Sequence, residues 1–148
     1  MTALQHHVKT TFSAKRSHCS DVRALIESTL APLNPSPSKD LLHNIILATD
    51  ELFTNTVKHA YQEDASKTIG LEIQVSSSNI AVIIEHTGTP FDPSTYTPFD
   101  PNATLDQRRT GGMGVFIMEH LADQVAFERS KSGAHRAILH FHRKHPTS

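Results

Sequence analysis

A chain of 148 residues with a formal net charge of -1 has the size of one domain and carries no concentrated basic face, which excludes a nucleic-acid binder of the usual electrostatic kind. Cys19 is the only cysteine, so an internal disulfide is excluded and a reducing cytoplasm is the expected compartment. Residues 1–7 lack the pattern of a secretory leader, and no apolar run approaches the roughly 20 residues that a membrane-spanning helix needs, so no membrane partner is expected.

Residues 8–12 alternate enough to form a short strand. Ser17 or Ser20 then offers an N-cap to a helix whose apolar stripe is Val22, Leu25, Ile26 and Leu30. Pro32, Pro35 and Pro37 stop it, because proline lacks an amide hydrogen and clashes with the preceding turn. Ser38 is placed to cap a second helix, in which Leu41, Leu42, Ile45, Ile46, Leu52, Phe53, Val57 and Ala60 keep the helical period to about Tyr61. Two strands follow at 69–75 and 80–85, joined by a turn at 76–79. Leu71, Ile73 and Val75 alternate there with Glu72 and Gln74, which predicts one buried and one wet face.

From Thr87 to Gly112 the chain reads as a loop, in which Thr89-Pro90-Phe91-Asp92-Pro93 recurs as Thr97-Pro98-Phe99-Asp100-Pro101. A loop of this length inside a compact domain is functional or disordered. Residues 114–122 read as a third helix, and 124–128 and 136–141 as two more strands turned at Ser132-Gly133. Helices come early, strands gather afterwards, and one helix interrupts them. The order predicts an α+β fold over residues 1–148: a two-layer sandwich of a mixed, mostly antiparallel sheet covered on one face by about three helices.

The chemistry concentrates in three segments. Glu51, Asn55 and His59 are spaced by four and form a ribbon along the second helix. A carboxylate one turn from a carboxamide supplies oxygens suited to Mg²⁺, and the carboxylate can take a proton from a hydroxyl attacking a phosphate. An amphipathic helix with a polar stripe is the other reading of that spacing. Further on, the strand at 80–85 runs into a glycine turn, where Gly88 allows a flat ligand close to the backbone. Arg109-Thr110-Gly111-Gly112-Met113-Gly114 directly precedes the third helix, whose N-terminal amides are free to meet phosphates. The chain has eleven histidines, and His140-Phe141-His142 puts two on one strand face. No third and fourth ligand is evident, so no structural or catalytic zinc is expected.

In this order the three segments resemble those of the GHKL ATPases, and within them the bacterial anti-sigma-factor serine/threonine kinases, over residues 8–141. The first box is Glu51-Leu52-x-x-Asn55-x-x-x-His59-Ala60-Tyr61. The resemblance implies Glu51 as general base, Asn55 as Mg²⁺ ligand and His59 as a site-lining or capping residue. The third box is Gly111-Gly112-Met113-Gly114, implied to cradle phosphates and to hinge a mobile lid at about 92–112, from which Arg108 or Arg109 reaches a phosphate. The middle box departs from the family's Asp-x-Gly-x-Pro-Phe-Asp: Gly88, Pro90 and Phe91 match, but His86 replaces the aspartate that accepts from the adenine amino group. A neutral imidazole accepts one hydrogen bond and a protonated one none. The change weakens ATP binding, alters the preferred base or ties affinity to pH. Glu85 is adjacent but faces the other side of the strand.

What the resemblance implies is ATP and Mg²⁺ binding, phosphorylation of a serine of an anti-anti-sigma (STAS) protein, and sequestration of a sigma factor by a cytoplasmic homodimer. The alternative is a non-catalytic binding module of the same fold with an altered nucleotide site. A free-standing sensor histidine kinase is disfavoured, since the chain lacks dimerisation helices and a phosphoacceptor-bearing coiled segment.

Overall fold

The computed structural model describes residues 4–90, 118 and 120–143. Its elements are β1 (Leu4–Ser13), a 3₁₀ turn (Arg16–His18), α1 (Cys19–Leu30), α2 (Lys39–Asn55) running into one π-helical turn (Thr56–Ala60), β2 (Thr68–Ser76), β3 (Asn79–His86), β4 (Gln124–Arg129) and β5 (His135–His142). The five strands form one sheet in the order β1-β2-β3-β5-β4. The expected mixed sheet is corrected in one respect: every pairing among the described residues is antiparallel. β3 and β4 do run in the same direction, but β5 lies between them and pairs with both, so no parallel contact forms.

The register lines up Val8, Ile73, Val82, Leu139 and Val125 across the five strands on one face. That face packs against Ile26 and Leu30 of α1 and Ile45 and Phe53 of α2, all fully buried. Side chains of this size contribute about 1.5–3 kcal/mol each when withdrawn from water, so this row and its neighbours hold the helices on the sheet. Met118, fully buried, joins the same core and accepts from the Ala122 amide at 3.0 Å. Met118, His120 and Leu121 are helical, as expected for the third helix; the rest of that helix, residues 91–117 and the tail from 144 lie outside the described residues.

Ser38 caps α2 as its position predicts, its Oγ accepting from the Leu41 amide at 3.1 Å. Neither Ser17 nor Ser20 caps α1. The 3₁₀ turn feeds straight into the helix, which places His18 at the cap without a side-chain bond and leaves the Ser20 hydroxyl donating to the Ser17 carbonyl. The period expected to run to Tyr61 also changes character. The Thr56 hydroxyl donates to the Leu52 carbonyl at 2.8 Å, and beyond Asn55 the turn widens until the Tyr61 amide reaches the Thr56 carbonyl five residues back. Gln62 and Glu63 then reverse the chain with φ of 49° and 62°.

The open face of the sheet is drier than the alternation of β2 predicts. Glu72 is buried there, as are Ala81 and Ile83 of the central strand β3. No helix among the described residues is long and apolar enough to cross a membrane.

Candidate functional site

α2 and the end of β3 bring two of the three predicted segments together. Glu51 is half-buried on α2. Burial and then the neighbouring Asp50 charge push its carboxyl above the ordinary range, against a smaller opposing pull from Lys58. Asn55, one turn on, is buried, and its Nδ2 has no hydrogen-bond partner among the described residues; Thr49 Oγ1 on the same helix is in the same condition. Leaving such an atom unpaired costs about 1–3 kcal/mol, so a group of this kind is expected to have a purpose or a partner supplied from outside. His59 is exposed and sits inside the π turn. The extra residue in that turn takes it off the straight ribbon that a continuous α-helix would give.

At the end of β3, His86 is buried on the helix-covered face. Its Nδ1 accepts from the Gly88 amide at 3.1 Å. An amide can only donate, so Nδ1 is bare and the ring proton sits on Nε2. Burial, followed by the charge of His135, lowers the His86 pKa from 6.5 to about 4, and the imidazole is neutral at physiological pH. The Tyr61 ring meets it edge-on at 5.8 Å, and the His135 ring lies at 5.3 Å. Beside them is a cavity of about 480 Å³, lined by His86, Pro90, Phe127, His135 and Ala137 among others. That is within the usual size of a small-molecule site.

Gly88 is demanded by packing. A Cβ there would lie 2.2 Å from the Ala60 carbonyl oxygen and 2.8 Å from Tyr61 Cδ1. The close approach expected of a ligand is, on that side, made by the end of the π turn itself. The Thr89 amide donates to the same Ala60 carbonyl at 2.9 Å, and the Thr87 amide donates to Tyr61 Oη at 2.8 Å. Thr87 and Thr89 of the middle box are thus bonded to the end of the first, with Gly88 packed between them. Glu85 pairs with Gly70 and Arg136 in register on the other face, away from His86, as strand alternation requires.

Tyr61 stood inside the first box, but its strapping role is visible only in three dimensions. His135 was missed altogether: it pairs with His86 across β3 and β5, a register with no local signature. Arg108, Arg109, Gly111, Gly112, Gly114 and the lid at about 92–112 lie outside the described residues.

The sequence pattern of the histidine kinase-like ATPase domain family matches residues 12–138. The chain belongs to that family. It is 33% identical over 90 residues to the serine-protein kinase RsbW of Bacillus subtilis, a match covering 58% of this chain and 56% of that protein. Against the serine-protein kinase RsbW of Staphylococcus epidermidis it is 26% identical over 149 residues, covering 97% of this chain and 92% of the relative. A crystal structure of the RsbU and RsbW domains of Rv1364c from Mycobacterium tuberculosis superposes with a TM-score of 0.64 at 17% identity. That likeness covers 95% of this chain and 34% of the mycobacterial one, and establishes the shared fold.

The site fits a nucleotide in two respects and departs in one. The cavity beside His86 has room for a base, and Asn55 on α2 carries a buried carboxamide whose Nδ2 has no partner among the described residues. At the position where the resemblance places an acceptor for the base, however, His86 keeps its ring proton on Nε2 and offers an N–H.

Proposed function

We propose that this chain is a protein serine/threonine kinase that binds ATP with Mg²⁺, phosphorylates a serine of an anti-anti-sigma (STAS) protein and sequesters a sigma factor, working as a homodimer in the cytoplasm. The observation that carries the reading is the pair on α2: a carboxyl held above its usual range at Glu51, one turn from the buried carboxamide of Asn55, whose Nδ2 has no partner among the described residues. The names of the relatives, serine-protein kinases, support it.

Bound ATP–Mg²⁺ would supply the phosphoryl group and the cationic charge that stabilises its transfer. The chain's own residues do the rest. Asn55 would hold the metal through its carboxamide oxygen. Glu51 would take the proton of the substrate serine hydroxyl as its oxygen bonds to the γ-phosphorus and the bond to the departing nucleoside diphosphate breaks; a raised pKa makes it the stronger base. The amides of Gly111, Gly112 and Gly114 cradle phosphates, with Arg109 reaching them from the lid. His59 lines the approach at the end of α2, and Gly88 lets β3 seat against that end beside the base.

A binding module without catalysis is the second reading, favoured by the presence of His86 where an acceptor is expected. Calorimetry with nucleoside triphosphates, with and without Mg²⁺, followed by phosphate transfer to a STAS protein, separates the two. Asn55→Ala should lose Mg²⁺-dependent affinity by at least about tenfold, a change of about 1.4 kcal/mol. Glu51→Gln should keep binding and lose transfer by about 10²- to 10⁴-fold. Mg²⁺-dependent binding followed by transfer supports the kinase, whereas a wild type that binds no nucleotide, with binding recovered in His86→Asp, supports the module.

A further inference from the structure

The geometry points to a change of nucleobase: His86 makes this pocket read a hydrogen-bond acceptor at position 6 of a purine, so that a 6-oxopurine nucleotide is favoured over an adenine nucleotide. The inference rests on the nucleotide-binding reading above and replaces its adenine nucleotide by a 6-oxopurine one as the preferred ligand.

Three observations carry it. The Gly88 amide occupies Nδ1 of His86, inside the turn that closes β3. Nε2 therefore bears the proton and is a donor, and among the described residues no acceptor is bonded to it. Turning the ring over would place a carbon against the Gly88 amide and forfeit that bond, so the tautomer is held by the backbone. The ring also lines the cavity together with His135, Ala137 and Phe127.

Three other acceptors near the cavity are already engaged or turned away. Tyr61 Oη already receives the Thr87 amide. Glu128, at the cavity rim, accepts from Arg136 Nε at 3.1 Å. Glu85 lies on the opposite face of β3, in register with Gly70 and Arg136. An adenine amino group brought to His86 thus sets donor against donor. Inosine or guanosine triphosphate presents O6 at the same place and accepts from Nε2. Leaving one buried partner unpaired corresponds to about 5- to 150-fold in affinity.

Inosine triphosphate is the sharper probe, because it lacks the extra 2-amino group of guanosine triphosphate. The experiment is calorimetric titration of ATP and inosine triphosphate, both with Mg²⁺, into the wild-type chain and into His86→Asp. Wild type should bind inosine triphosphate about 5- to 150-fold more tightly than ATP, and His86→Asp should invert the order. His86→Asn, which carries both an acceptor and a donor, should bring the two affinities together, and it guards against misfolding of the aspartate variant. Nitrogen-15 NMR of the wild-type complex should show the proton on Nε2. A wild-type preference for ATP of fivefold or more, or a ratio unmoved by both substitutions, overturns the inference and leaves the kinase reading standing. If neither nucleotide binds at millimolar concentration, the inference falls together with that reading.

Discussion

Two buried polar clusters lie on opposite faces of the same sheet, and they are built on opposite terms. Glu72, 8% exposed on the open face, is fully partnered: His7 Nε2 lies 2.5 Å away, Gln74 donates at 2.7 Å, and Arg136 is 3.7 Å from its other oxygen. His86, 7% exposed on the helix-covered face, uses one nitrogen within its own turn and lines a cavity with its ring, while Asn55 Nδ2 on neighbouring α2 has no partner among the described residues. Buried polar groups that are satisfied hold a structure together; those that are not are costs retained for something that binds. The first cluster therefore reads as architecture and the second as a site.

Substitutions can break that distinction. The largest expected stability loss is at Gly88, where the site meets the scaffold. Gly88→Ala forces a methyl against the Ala60 carbonyl at 2.2 Å and should cost about 3 kcal/mol, read as a fall in the urea midpoint. Glu72→Ala should cost about 2 kcal/mol by the same measurement, since it removes the acceptor of His7 and Gln74 and the second carboxylate beside Arg136, and it should leave nucleotide affinity untouched. A loss of affinity in that variant would show that the two faces are coupled. Tyr61→Phe removes one bond to the Thr87 amide and should cost about 1 kcal/mol. Asn55→Ala should change stability by about 0.5 kcal/mol or less, or raise it, because it removes a donor that has no partner. A large loss there would mean that Asn55 is architecture after all.

Acid separates the clusters by window. Folding holds His86 neutral with a pKa of about 4 against 6.5 when free, so the unfolded chain binds the proton more readily in between. Stability from this source is full above pH 6.5 and declines as pH falls toward about 4. Glu72 behaves differently. Burial pushes its carboxyl up, but the bonds from Gln74 and His7 and the charges of His7 and Arg136 outweigh it and hold the pKa below 4.5. Its contribution is present above 4.5 and is lost as pH falls through the lowered value. Urea midpoints measured from pH 7 to pH 3 should decline in both windows. His86→Asn should flatten the upper one and Glu72→Ala the lower.

Element order, the Ser38 cap, the helical stripes and the strand pattern of β2 and β3 were legible along the chain, because periodicity and capping act between residues a few positions apart. So was the succession of three motif segments, and the family match over residues 12–138 agrees with it. Other features were decided only by tertiary packing. The π turn depends on how α2 ends against β3. The burial of Glu72 depends on His7 and Arg136, which are 65 and 64 residues away in the chain. The glycine at 88 answers to Ala60 rather than to its neighbours in sequence. His86 could be read as an altered base-recognition residue from its place in a motif. Which of its nitrogens keeps the proton was settled by the turn that folds the Gly88 amide back onto Nδ1, and what stands beside it was settled by the β3–β5 register that brings in His135. A sequence specifies donors and acceptors by type, but which of them remain unspent is determined by contacts between distant segments.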